Sequence, residues 1–253
     1  MCGIHASISS RGYHAPTNEL KLLLRKRGPD HVGEEKCQYL SDDGITRYIS
    51  FTSTVLALRG GQITTQPFQD SASGCMLCWN GEAWAINSIP IVGNDGISIF
   101  EMLQKASSSG LSLAESTAAT LKVLRSISGP FAFVFLDQNH GLLYFGRDCL
   151  GRRSLLLKHD ANLSLLEISS CVDNLDSHWE EVEADGIHQI SLNLKSHFEE
   201  EKKDKPTATS KVLYPSRRFP WENITDVRSH SLAFNVQSRL IRGLAMSCEL
   251  TIS

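Results

Sequence analysis

The sequence predicts a mixed α+β fold, and two observations carry that prediction. Short apolar runs of strand length recur through most of the chain, bounded by Gly, Asn and Pro. Between them lie a few stretches whose apolar residues repeat at helical spacing behind a capping residue. At 253 residues, 41% apolar and 21% charged, the composition is ordinary for a globular protein with a sizeable core. The length suits one large domain, or one domain and a tail.

Taken in order, Cys2 to Ser9 alternates weakly and reads as a first strand. Thr17 is placed to cap a helix from Asn18 to about Lys26, with Leu20, Leu23 and Leu24 on one face. Arg27-Gly28-Pro29-Asp30 ends it, because Gly and Pro both stop helices. Arg47 to Leu58, with Ile49, Phe51, Val55 and Leu56, suits a strand or two. A polar stretch from Gly60 to Asp70 follows, then a strongly apolar run from Cys75 to Trp79. Asn80-Gly81, with apolar Ala83 to Ile86 beyond it, reads as a hairpin turn. Asn94 or Asp95 caps a helix with Ile99, Phe100 and Leu103 as its stripe. Leu113 to Ile127 makes another, turned inward through Leu113, Leu121 and Leu124 and broken by Gly129-Pro130.

Phe131 to Leu136 and Leu142 to Phe145 form a strand pair around Asn139-His140-Gly141. Arg147 to Arg153 is a basic, glycine-containing loop. Leu155 to Lys158, Leu163 to Ser169 and Ile187 to Leu192 read as later strands. Phe198 to Lys211 changes character: it is rich in Glu and Lys and almost devoid of apolar residues, as in a solvated linker. Val212 to Trp221 is expected to pack irregularly, and Val227 to Leu244 to form a weakly amphipathic helix.

Several function classes lose support at once. A net charge of −3 gives no electrostatic case for nucleic acid or acidic membranes. The longest apolar runs, such as Pro130 to Leu136, are far too short to span a bilayer. The N-terminus lacks the basic-then-apolar pattern of a signal peptide. Seven cysteines, an odd count without a repeating framework, read as reduced thiols of a cytoplasmic protein. Cys75-x-x-Cys78 invites a zinc or redox reading, but residues three apart on a strand face opposite ways, and no second pair stands at metal-ligand spacing. The nine histidines form no ligand pattern; His5 reads as a satisfied core histidine.

The chemistry begins at Met1-Cys2-Gly3-Ile4. With the initiator removed, Cys2 carries a thiol and a free α-amine on one residue. The thiol is a strong nucleophile once ionised, at about pKa 8.5 when free. The amine, near about 7.7–8.0, is partly neutral at cytosolic pH and can act as its base.

Four motifs then occur in register: Met1-Cys2-Gly3-Ile4, Arg27-Gly28-Pro29-Asp30, Asn80-Gly81-Glu82 and Gly146-Arg147-Asp148-Cys149-Leu150-Gly151. Their order and spacing resemble the glutaminase domain of class II glutamine amidotransferases, which are N-terminal-nucleophile hydrolases. The Arg-Gly-Pro-Asp signature is similar to that of the asparagine synthetase family. The resemblance covers roughly residues 2–195, which leaves 196–211 as a charged linker and 212–253 as a tail. It implies a four-layer αββα sandwich of two antiparallel sheets. It also implies hydrolysis of L-glutamine to L-glutamate and ammonia through a Cys2 thioester, with no metal or organic cofactor for this half-reaction. The partners it implies are L-glutamine and a synthetase domain or protein that accepts the ammonia. The synthetase half's Ser-Gly-Gly-x-Asp-Ser pyrophosphate loop is absent from this sequence.

The resemblance also assigns residues. Thiolate attack builds a negative oxygen that needs donors placed in advance. Asn80 offers a side-chain NH₂ and Gly81 a backbone N–H, and both are assigned to the oxyanion hole, alongside the turn reading. Arg59 is assigned the α-carboxylate of glutamine, which a guanidinium grips bidentately. Asp95 and, ranked below it, Glu82 supply negative charge for the α-ammonium. Arg27 to Asp30 is read as structural, Arg147 and Asp148 as a buried ion pair, and Arg152-Arg153 as an exposed basic pair. Where the family usually carries Ile and Asp after that arginine, this chain has Gly60-Gly61-Gln62-Ile63-Thr64-Thr65. The alternative to an enzyme is a binding or regulatory module that keeps the fold without turnover.

Overall fold

The computed structural model describes residues 1–58, 62–173, 178–193 and 214–222. Arg59, Gly60 and Gly61, the expected linker over 196–211 and the expected helix over 227–244 lie outside the described residues. The chain divides into two units, Met1–Pro220 and Trp221–Ser253. Every described helix and strand belongs to the first unit.

Strand β1 (Gly3–Ser9) opens the chain. Helix α1 (Asn18–Arg27) follows, and the Thr17 hydroxyl accepts the Leu20 N–H at its first turn. Leu20 and Leu24 are buried, and Leu23 only partly so. β2 (His31–Leu40) and β3 (Thr46–Val55) then pair along their whole length. β2 is an element that the sequence pattern does not announce. Its Gly33-Glu34-Glu35-Lys36 run masks the apolar pattern, and it lies at a sheet edge with only Cys37 and Tyr39 packed against the core.

Gly28 closes α1 where the chain presses on β3. A Cβ there would collide with the Thr54 carbonyl and the Val55 nitrogen, both backbone atoms that cannot swing aside. Gly28→Ala is therefore expected to lower stability by about 1–3 kcal/mol, read as a reduced Tm. An unchanged Tm would contradict this close approach.

β4 (Phe68–Gln69) and β5 (Met76–Gly81) come next. Here a sequence expectation fails: Asn80-Gly81 is not a hairpin turn. The pair ends β5 and lies opposite Ala132 and Phe131 of β9 (Phe131–Asp137), so long-range pairing overrides the local turn preference. The two-residue turn lies further on, between β6 (Ala85–Ile86) and β7 (Ile89–Pro90). Asn87 and Ser88 have φ of 50° and 64°, the handedness such a hairpin requires.

Helix α2 (Asp95–Ala106) is capped by Asn94, whose side chain accepts the Ile97 N–H at 3.1 Å. Ile99, Phe100 and Leu103 are buried as expected. Helix α3 (Leu113–Arg125) starts with a Ser112–Glu115 capping box and buries Leu121 and Leu124. Leu113, at its first turn, is 53% exposed, against expectation. β8 (Ile127–Ser128), β10 (Leu142–Arg147), β11 (Leu156–Asp160), β12 (Leu165–Ser169), β13 (Glu180–Glu181) and β14 (Gly186–Ser191) complete the order up to residue 193. Part of 212–221, expected to be irregular, is a strand: β15 (Ser216–Pro220) pairs with β14. Tyr214, just before it, is buried in the core.

The strands form two six-stranded antiparallel sheets, ordered β13-β11-β12-β1-β3-β2 and β15-β14-β10-β9-β5-β4, and a small sheet β7-β6-β8. One core lies between the large sheets. Ile4, Ala6, Ile8, Ile49 and Phe51 meet Met76, Cys78, Ala132, Val134 and Leu136 there. α1 contacts β1 and β3; α2 contacts β5 and packs on α3. Helix, sheet, sheet and helices make the four layers of an N-terminal-nucleophile α+β sandwich. No helix among the described residues is long and apolar enough to cross a membrane.

Candidate active site

Strand parity puts Cys2 and Asn80 on facing rows. The inward side chains of β1 are Ile4, Ala6 and Ile8, and those of β5 are Met76 and Cys78. Side chains alternate along a strand, so Cys2 and Asn80 continue the two rows that line the space between the sheets. Charged and ionisable groups lie near enough to Cys2 to interact with it. The Cys2 thiol feels the Asp95 carboxylate, and the Cys78 thiol feels Cys2.

The strand that follows Cys2 is held by backbone contacts. Gly3 N–H donates to Thr54 Oγ1 at 3.1 Å, and Ile4 N–H to Ser170 Oγ at 3.0 Å. Arg27 reaches over from α1: its Nε donates to the Cys2 carbonyl at 3.3 Å, and its Nη1 to Ser154 Oγ at 2.9 Å and Ser170 O at 3.1 Å. Asp30 accepts the Ala57 N–H at 2.8 Å, which holds the segment that carries Leu56. The Arg27–Asp30 motif is thus a structural clamp on both sides of Cys2. The Cys2 thiol points toward the Leu56 carbonyl, 4.0 Å away. Burial pushes this thiol up, and the Asp95 carboxylate adds to that. The Leu56 contact, the amino terminus and the Arg27 guanidinium oppose it without cancelling it. A thiol raised in this way is protonated at neutral pH and needs a base before it can attack.

On β5, Asn80 is 1% exposed, and neither its amide nitrogen nor its amide oxygen has a hydrogen-bond partner. A buried orphan of this kind costs roughly 1–3 kcal/mol. The backbone beside it is equally telling. Glu82 N–H bonds Pro130 O at 2.9 Å, so even-numbered N–H groups face β9. Odd-numbered ones therefore face the other edge. Trp79 N–H is taken by Gln66 Oε1 at 2.8 Å, and Ala83 N–H by Asp95 Oδ2 at 2.8 Å. Gly81 N–H stands between them, unspent on the ladder. Gly81 has no room for a side chain: a Cβ would lie 2.7 Å from Phe131 Cβ and from Trp79 Cζ2.

Asp95 is buried at the start of α2, as its first helical residue rather than its cap. Its Oδ2 also accepts the Trp79 indole N–H at 3.0 Å. Glu82 continues the Asn80 row one step outward and is exposed. Asp95 thus sits against the Trp79–Ala83 stretch that carries Asn80 and Gly81, and its charge reaches Cys2; Glu82 is exposed, and Arg59 lies outside the described residues.

Other expectations resolve in detail. Arg147 and Asp148 do not pair with each other. Arg147 binds the Arg153 carbonyl at 2.6 Å, the Val182 carbonyl at 3.1 Å, the Gly151 carbonyl and Glu181. Asp148 accepts the N–H groups of Phe131, Leu150 and Arg152, each at 3.1 Å. Arg152 is exposed, whereas Arg153 is half-buried with its Nε unpartnered. Cys75 and Cys78 are both buried free thiols, and Cys78 faces Thr52 O at 3.8 Å. His5 is fully buried on the outward parity of β1, with Nε2 3.4 Å from Glu167 Oε1. Burial alone would raise Glu167, but hydrogen bonds and charges from His5 and Lys158 outweigh it and bring its carboxyl down to about 2. Gln66 and the Trp79 indole escaped sequence reasoning. A glutamine before a proline in a polar stretch carries no sign that its side chain completes a sheet edge.

Comparison with known proteins shows the family. The model of a glutamine amidotransferase domain matches residues 1–204. The human asparagine synthetase domain-containing protein 1 is 30% identical over 244 residues, which covers 92% of this chain and 34% of that protein. Its mouse counterpart is 32% identical over 200 residues, 76% of this chain and 29% of that protein. The chain thus spans about a third of the length of the curated relatives it matches. Among solved structures, the glutamine phosphoribosylpyrophosphate amidotransferase from B. subtilis, complexed with ADP and GMP, superposes with a TM-score of 0.55 at 15% identity. The match covers 87% of this chain and 50% of that one, a likeness of fold. The chain belongs to the glutamine amidotransferase domain family, as a class II, N-terminal-nucleophile domain of the asparagine synthetase family.

Proposed function

We propose that this domain hydrolyses L-glutamine to L-glutamate and ammonia through a γ-glutamyl thioester on Cys2. The ammonia then passes to an asparagine-synthetase-like domain or partner. The observation that carries this reading is the buried, unpartnered Asn80 amide, next to a Gly81 N–H that strand alternation turns away from β9. A fold retains such a costly buried amide where a ligand completes it.

In this reading Met1 is removed and the Cys2 amine, in its neutral form, takes the thiol proton as sulfur attacks the side-chain amide carbon. The resulting oxyanion is received by Asn80 Nδ2 and Gly81 N–H. The protonated amine then gives its proton to the leaving nitrogen, and the C–N bond breaks to release ammonia. The amine next deprotonates water, which attacks the thioester and frees glutamate and the thiol. Asp95, whose Oδ2 is committed to Trp79 and Ala83, offers Oδ1 to the substrate ammonium, with Glu82 at the rim. Arg59 takes the α-carboxylate. The six described cysteines are all free, which suits a reducing cytoplasm.

Trimmed protein incubated with L-glutamine is expected to release glutamate and ammonia in equal amounts. Binding of glutamine without release would favour the non-catalytic module. Arg59→Lys keeps the charge and loses the bidentate grip, so KM for glutamine is expected to rise roughly 10–100-fold with kcat changed far less. An unchanged KM would remove Arg59 from the site.

A further inference from the structure

We propose that Gln66 is a positioning residue for the oxyanion hole: its side-chain carbonyl stands in for a missing strand beside β5 and ties the oxyanion donors to the nucleophile strand. The proposal rests on the glutaminase reading and adds to it a residue with no part in the chemistry.

The ladder between β4 and β5 is short, pairing only Phe68↔Leu77 and Gln69↔Met76. Beyond Leu77 no strand among the described residues lies on the β4 side of β5, yet Trp79 N–H faces that way. Gln66 Oε1 meets it at 2.8 Å, from a side chain on a residue only 6% exposed. Its backbone is drawn in so closely that a Cβ on Gly33 of β2 would strike the Gln66 carbonyl oxygen. The next N–H on the same edge is that of Gly81, so the Gln66 contact fixes the strand one step before the oxyanion donors.

Gln66 also reaches across the sandwich. Ser53 of β3 is fully buried, and its hydroxyl lies 3.5 Å from Gln66 Oε1 and 3.3 Å from the Gly3 carbonyl. Gly3 follows Cys2 directly. Nucleophile and oxyanion donors are thus joined through Gly3, Ser53, Gln66 and Trp79: the single Ser53 hydroxyl proton is shared between the Gly3 carbonyl and Gln66 Oε1, and the Trp79 N–H donates to that same Gln66 oxygen. A small misplacement of donors against the reacting atom is enough to cost a large factor in rate.

Two variants separate positioning from mere support. Gln66→Met keeps the shape and deletes the acceptor; Gln66→Glu keeps an acceptor. For Gln66→Met we expect kcat for glutamate release to fall roughly 10–100-fold, KM to move by less than about threefold, and alkylation of Cys2 by iodoacetamide, which builds no oxyanion, to continue at the wild-type rate. Gln66→Glu is expected to recover most of the loss. Wild-type kcat in Gln66→Met, or a parallel loss of alkylation, would overturn the proposal while leaving the glutaminase reading intact. No glutamate release from the wild-type protein would overturn both. If neither variant folds, amide exchange in the wild-type protein decides: the Trp79 amide protected and the Gly81 amide exchanging freely is the expected result, and the reverse order contradicts it.

Discussion

Cys2→Ala is expected to lower kcat for glutamate release by roughly 10⁴-fold or more, since loss of a covalent nucleophile removes the acyl-enzyme path altogether. Folding should survive. Among the described residues the Cys2 thiol makes one weak hydrogen-bond contact, 4.0 Å from the Leu56 carbonyl, while the strand is held by the backbone contacts of Gly3 and Ile4 and by Arg27 on the Cys2 carbonyl. None of these needs the sulfur, so stability should stay within about 1 kcal/mol of wild type. Alanine is also small enough for Met1 to be trimmed, which keeps the comparison clean. Glutamate release measured beside thermal unfolding checks both halves. Equal release from the two proteins would leave the domain as a binding module.

Asn80→Ala is the more diagnostic substitution, because activity and stability should separate. Removal of one oxyanion donor typically costs about 10²–10³-fold in kcat, with KM little changed. An ordinary buried polar side chain would lose stability when truncated, because it would abandon its partners. Asn80 has none to abandon, and deleting a buried unpartnered amide returns roughly 1–3 kcal/mol, against which the lost packing is set. The expected outcome is a large fall in kcat with a Tm unchanged or raised. A lowered Tm with normal kcat would mean that the amide serves the fold and not the reaction.

The legibility of this chain in its sequence followed the range of the forces involved. α1 and α2 could be read because their caps and stripes lie within a few residues of each other: Thr17 meets Leu20, and Asn94 meets Ile97. β9 and β10 were equally plain, since their apolar runs flank a short turn. β2 was hidden because an edge strand needs only one apolar face, and its charged run obscured even that. Asn80-Gly81 misled for the opposite reason: locally it is the best turn signal in the chain, yet its partners Ala132 and Phe131 are some fifty residues away. Cys2, Asn80, Gly81 and Asp95 could be named as candidates because the motifs stood in register. The devices that support them were not, because Arg27 on the Cys2 carbonyl and Gln66 on the Trp79 N–H are contacts between residues whose own types announce nothing.

The most direct test of the central claim is intact mass after incubation with an electrophilic glutamine analogue. A chain lacking Met1, carrying one adduct that maps to Cys2 and is blocked by excess L-glutamine, is the predicted result. It would establish a processed nucleophile inside a glutamine-shaped pocket. A retained Met1, or a trimmed chain whose Cys2 stays unlabelled, would contradict it.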